Sequence, residues 1–324
     1  MENRATQTEN PLRVPAAPRR RPRWVGFAAM ITSAVAFGGL AIFARLAYAA
    51  GASPVTLLCL RFSIAAVCMF GLMWVRGLAL PRGRTLLGLV LLGGLAYVGQ
   101  SLAFFTALTM ASAGLVALLL YLYPVLVTIF SVVLFKERLT RPKVSALVLA
   151  VVGTGLTIGP VGGGRPLGII LGVLAALIYA VYILVGSRVT PAAGAIPAST
   201  VIIASAALVY GGLMALEGPV FPATLTGWLA IVGVALISTV IAIVTFFIGL
   251  EQIGPTAAAT LSALEPLVTV VLAVLVLDER VVALQVAGGA LILVAVVLLS
   301  RMQTANGPPP EGIPLPEKPG GSAA

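Results

Sequence analysis

Between Trp24 and Arg301 the chain is a succession of apolar runs, each close to the roughly 20 helical residues needed to cross a hydrocarbon core. They fall at 24–49, 54–75, 85–108, 112–134, 142–160, 166–188, 197–216, 225–250, 254–277 and 282–301, which predicts ten transmembrane helices. Membrane strands would show short segments of alternating polarity, and these runs are continuously apolar. Charged residues make up 9% of the 324 and hydrophobic ones 60%, whereas an ordinary soluble domain is about 25% charged. A soluble fold of this composition would expose apolar area that monomers rarely tolerate. The fold class is an all-α integral membrane protein.

Histidine is absent, which removes His-metal sites, Ser–His and Cys–His pairs and His proton relays. Cys59 and Cys68 share one apolar run and lie about 13 Å apart along a helix, too far to bridge. No metal or cofactor is indicated, and the chain carries no GxxxxGK[ST] phosphate loop.

Residues 1–23, rich in Arg and Pro, and residues 302–324, rich in Pro and Gly, read as disordered tails. The first apolar run is too long for a signal peptide and is followed by nine more, so it reads as a retained anchor. With the N-terminus cytoplasmic, sixteen of the twenty basic residues fall on the cytoplasmic side, including the arginines of the N-tail, Arg76, Arg82, Arg84, Lys136, Arg138, Arg141, Lys143 and Arg188. By the positive-inside rule both termini are then cytoplasmic, in a multi-pass protein of the cell (plasma or inner) membrane. Topology accounts for the net charge of +10, so no nucleic-acid partner follows from it; the lipid bilayer is the partner indicated.

The chain matches itself at one offset. Phe104-Phe105 pair with Phe246-Phe247, Pro124 with Pro266, and Glu137-Arg138 with Glu279-Arg280, each 142 residues apart. A five-span unit (24–160) is therefore duplicated (166–301). Because five is odd, the second copy enters the membrane from the opposite side. Two inverted repeats with a site near the midplane are the pattern of secondary carriers.

These residues carry a resemblance. Ten spans in two five-span units, Arg61 within LRFSIAAV, the segments YPVLVTIFSVVLFKERLT and LEPLVTVVLAVLVLDERV, and the basic tail resemble the EamA-type transporters of the drug/metabolite transporter superfamily over about residues 24–301. The resemblance implies an exporter-like ten-helix fold whose central cavity is lined mainly by helices other than the fifth and tenth. It also implies a small-molecule substrate, with the fifth and tenth spans as the faces of a homodimer. Phe37-Gly38 stands where a Trp-Gly pair is common, so no cavity tryptophan carries over.

Glu265 lies near the middle of span nine, where a carboxylate is costly unless paired, hydrated or protonated. Ser262 and Thr269 share its helical face, and Pro266 frees a backbone carbonyl one turn earlier. Glu265 either binds a cationic or amine-bearing substrate, or cycles a proton coupled to transport, or ties its helix to a neighbour. Arg61, about 10 Å of helix rise from the outer end of span two, either snorkels to the interface, makes a packing salt bridge, or touches substrate. Arg45 reads as an outer anchor.

Tyr97, Gln100 and Phe104 form one stripe of span three suited to an amphipathic solute. Tyr121, Tyr123, Tyr179, Tyr182, Ser238 and Thr245 are further candidates for the pocket wall, each with ordinary interhelical bonding as the alternative. Gly168 and Gly172 read as points of close helix approach. Glu137 and Glu279, at span ends where the macrodipole disfavours them, each have a compensating partner or cap the N-terminus of the next helix.

The function that follows is a secondary active exporter of a small metabolite (amino acid, nucleoside, drug-like or related solute) by alternating access, with proton coupling at Glu265. The alternative is a flippase for a lipid-linked or amphiphilic substrate. An intramembrane enzyme lacks a second buried acid or a base to work with. A channel would show unsaturable flux.

Overall fold

A backbone without water must bond to itself, and continuously apolar segments do so as helices. The computed structural model describes residues 23–135, 140–158 and 164–305; the two tails, the segment 136–139 with Glu137, and the segment 159–163 lie outside the described residues. Eight helices are long and apolar enough to cross a membrane: α1 Trp24–Ala49, α2 Pro54–Val75, α3 Gly83–Ala107, α4 Ala113–Val133, α6 Pro166–Ala192, α7 Ala195–Glu217, α8 Leu225–Gly254 and α9 Thr260–Leu277. Two more, α5 (Arg141–Ile158) and α10 (Ala283–Ala305), occupy the expected fifth and tenth positions, with shorter apolar stretches at Lys143–Thr157 and Ala283–Leu299.

Helix starts are fixed by short polar side chains. Ser53, Ser112 and Thr224 accept the backbone N–H three residues on and cap α2, α4 and α8. These caps gather at one end of the bundle, called end A. There Ser53 N donates to the Val220 carbonyl, Ala223 N to that of Ala50, and Arg165 N to that of Met110. End B carries the opposite loops, where Gly26 of α1 meets Gln252 and Ile253. Trp74 and Trp24 project outward near end B, as interfacial indoles do.

Breaks in the helices follow the repeat. α4 is interrupted after Leu120, and α9 at Ala263, just ahead of Pro124 and Pro266. Each proline has no N–H to give its fourth predecessor and clashes with that carbonyl. π-helical turns occur in the third helix of each repeat, at Leu92–Tyr97 and Leu236–Ile241. α5 and α10 lie against each other through Gly153 and Gly288, where an added Cβ would meet the other helix's backbone. The main core joins α2, α3 and α7 around Phe62, Met69, Phe105, Ile203 and Tyr210. Val67, Leu95, Leu208 and Leu275 point outward, as lipid-facing residues do.

Candidate functional site

A cavity of about 660 Å³ lies between the two halves. Its lining draws on α1–α4 and α6–α9, with no described residue of α5 or α10. It extends to Ser187, Thr190, Pro191, Gly194 and Ser199 around the α6–α7 connection, so its mouth is at end B.

Arg61 sits inside it, 3% exposed. Its Nε donates to Thr239 Oγ1 at 2.9 Å, and a terminal nitrogen makes a long 3.5 Å contact to the Tyr97 hydroxyl. The guanidinium carbon stands 4.6 Å from the Phe62 ring centre and 5.1 Å from that of Phe105. Thr239 is itself held by its π turn, donating to the Val234 carbonyl at 2.9 Å. Two hydroxyls and two ring faces therefore surround this cation, and among the described residues no carboxylate pairs with it. Of the readings open from the sequence, snorkelling and a packing salt bridge are both corrected: the side chain turns into the bundle because its hydrogen-bond partners are there.

From Tyr97 a row of rings follows the wall. Tyr97 stacks on Tyr182 at 5.4 Å, Tyr182 on Tyr179 at 5.6 Å, and Tyr179 meets Tyr123 edge-on at 4.7 Å. Tyr121 then lies 6.0 Å from Tyr123. The Tyr121 hydroxyl donates to the Ser262 carbonyl at 2.8 Å, the very acceptor that Pro266 leaves without an intrahelical donor. Glu265 lines the cavity beside it, with Ser262 and Thr269 on the same helical face. Thr269 Oγ1 donates to the Gly38 carbonyl at 2.8 Å, which ties α9 to α1.

Tyr97, Gln100, Phe104, Tyr123, Tyr179, Tyr182, Ser262, Arg61 and Glu265 all line this one cavity. Ser238 and Thr245 do not. Ser238 is buried, its hydroxyl without a partner among the described residues, and Thr245 returns its hydroxyl to the Ile241 carbonyl of its own helix. Thr239, Phe37 and Phe105 escaped the sequence reading. The offset of 142 held the signal for Thr239, because it pairs that residue with Tyr97.

End A is shut above the cavity. Arg45 donates to the Leu108 carbonyl at 2.8 Å and Tyr48 to that of Phe105 at 3.1 Å, so Arg45 ties α1 to the end of α3. Gly164 pairs with Ala111 in an isolated bridge between the halves. Gly168 and Gly172 let α6 approach Met110 and Leu119, where a Cβ would collide. Glu279 caps a helix N-terminus, but not that of the next helix: its carboxylate accepts from Ala113 N at 2.7 Å and Gly114 N at 3.3 Å at the start of α4, in the other repeat, which corrects the expectation.

Known proteins share this design. A solved crystal structure has the same fold with a TM-score of 0.63, at 21% identity, over 88% of this chain and 100% of its own. An uncharacterized transporter of Archaeoglobus fulgidus is 30% identical over 276 residues, covering 85% of this chain and 96% of that protein. The model of the EamA-like transporter family matches twice, at residues 24–159 and 166–301. Two copies of one helical unit around a shared cavity thus have a family: the chain belongs to the EamA-like transporters, as a multi-pass membrane protein.

Proposed function

We propose that the chain is a secondary active exporter of a small metabolite, with the cavity between its halves as the transport site. The observation that carries this reading is a cavity at mid-depth, holding Arg61 and Glu265, that reaches end B while side-chain and backbone bonds close end A. Ten alternating crossings, with α5 and α10 spanning as a packed pair, make the repeats inverted and let one rocking motion exchange the closed and open ends. The positive-inside bias assigns end B to the cytoplasm, together with both termini. The cavity then loads from inside, the orientation an exporter needs.

Glu265 is the coupling group of this reading. A carboxylate at mid-membrane depth is stabilised by a proton or by a bound cation, and exchange of one for the other links transport to the proton gradient. In proteoliposomes, Glu265→Gln should preserve folding yet abolish transport or its pH dependence. Wild-type flux with unchanged pH dependence would refute the role. The substrate is found first by a thermal-stability screen, because a ligand at about 100 times its dissociation constant stabilises by roughly 2.7 kcal/mol.

An amphiphile flippase is the second reading. It is favoured by a smaller pocket of about 140 Å³ between α4, α9 and α10, rimmed by the outward-facing Leu267 and Val286 and set off from the main cavity by Glu265 and Pro266. Transbilayer movement of a labelled lipid without saturable solute counterflow would select it.

A further inference from the structure

Arg61 and Glu265 face one cavity from different parts of its wall, and among the described residues neither has an oppositely charged partner. The guanidinium has hydroxyls and ring faces as neighbours. Glu265 lies beside the tyrosine hydroxyl of Tyr121, and no described Lys or Arg pairs with it. An uncompensated charge away from water is costly, and a partner delivered to it gains in proportion.

The two charges are also held apart. Tyr97, the ring in contact with Arg61, is separated from Tyr123, the ring beside the Tyr121–Ser262–Glu265 corner, by two further tyrosines. The wall between the charges is therefore aromatic, and a flat or apolar body can lie along it while its ends stay charged. A solute with only a cationic end would leave Arg61 without an anion, and one with only an anionic end would leave Glu265 to a proton.

We propose that this cavity binds a two-ended zwitterion, with an anionic group on Arg61, a cationic group at Glu265, and a flat or apolar body along the tyrosine row. The assignment rests on reading the cavity as the transport site, and it narrows the substrate to solutes whose opposite charges lie at opposite ends. A carboxylate suits the forked guanidinium. An ammonium gains from Glu265 and from the faces of Tyr121, Tyr123 and Tyr179.

The test measures binding of four probes to the purified full-length protein at neutral pH. They are 4-(aminomethyl)phenylacetate, which carries both charges across one ring, its two truncations 4-methylbenzylamine and 4-methylphenylacetate, and phenylalanine, whose charges share one carbon. The two-ended probe should bind at least about tenfold more tightly than each of the others, the loss of one charge-assisted pair. Arg61→Gln should reduce it to the level of the amine, and Glu265→Gln to that of the acid. Either truncation matching the two-ended probe, phenylalanine exceeding it, or no binding by any of the four overturns the proposal. The wild-type ranking alone decides if a variant fails to fold. Counterflow of the bound probe in proteoliposomes separates the two claims. The expected ranking without counterflow would sink the carrier reading and leave the two-ended site, whereas counterflow of other solutes without that ranking would do the reverse.

Discussion

Glu279 joins the second repeat to the start of α4 in the first, so its removal should loosen end A and leave the cavity untouched. Its carboxylate accepts at 2.7 Å from Ala113 N and at 3.3 Å from Gly114 N, amides without an intrahelical partner. Bonds to a charged group are worth about 1.5–3 kcal/mol, and neutral ones about 1. Glu279→Gln keeps one neutral acceptor for the shorter bond, and forfeits the charge along with about 0.3–1 kcal/mol of attraction to the helix N-terminus. The net loss is about 2 kcal/mol. If the contact exists only while end A is closed, that loss moves the open-to-closed ratio about thirtyfold toward open. The assay is thiol labelling of Ala117→Cys, a buried cavity-lining position, with Cys59 and Cys68 replaced and an impermeant reagent applied from the face that bears Glu279. Labelling should accelerate by about the same factor in Glu279→Gln. An unchanged rate in a folded variant would show that the contact persists in both conformers and is no latch.

Tyr121→Phe strips the Ser262 carbonyl of its donor and should cost about 1 kcal/mol, read as a lowered melting temperature with the fold retained. Gly288→Leu sets a side chain where even a Cβ meets Thr157 and the Gly153 backbone, so α5 and α10 cannot pack and monodisperse protein should be lost on size exclusion. A cysteine near Lys136 should react only from the cytoplasmic side and one near Asp278 only from outside; same-side reaction would overturn the inverted repeat.

Eight of the helices were legible because each is apolar over a membrane's thickness. Expected runs such as 24–49 and 54–75 coincide with α1 and α2, and the expected 225–250 is a few residues shorter than α8. Glu265 was legible as well, since a carboxylate in such a run has few places to be. The direction of Arg61 was not. α2 is apolar on every side, so periodicity names no inner face, and only its tertiary neighbours Thr239 and Tyr97 turn the guanidinium inward. For the same reason Ser238 and Thr245, which share α8 with Thr239, were grouped with the cavity and lie off it. Glu279 was expected to cap the next helix, but it caps α4 instead, because which helix N-terminus lies within reach depends on how the repeats dock.

The repeat itself shows how such a chain becomes directional. Some positions are the same in both halves: Pro124 and Pro266 at the helix breaks, Phe104-Phe105 and Phe246-Phe247 on the cavity wall, and in sequence Glu137-Arg138 and Glu279-Arg280. The polar and charged positions that face the cavity differ across the same offset of 142: Arg61 against Ile203, Tyr97 against Thr239, Gln100 against Ala242, Tyr121 against Ala263, Tyr123 against Glu265, and Tyr179 and Tyr182 against Phe37 and Leu40. A symmetric frame permits two equivalent end-closed shapes, whereas a symmetric lining would place each charge twice and offer a solute two superimposed orientations. Dividing the cation and the acid between the halves leaves one. Arg61 then bonds to both members of an equivalent pair, Tyr97 and Thr239, each on or beside a π turn of its own repeat. If the halves rock as proposed, a charge that answers to both at once would register the change in their relative position and so would couple the occupancy of the cavity to that motion.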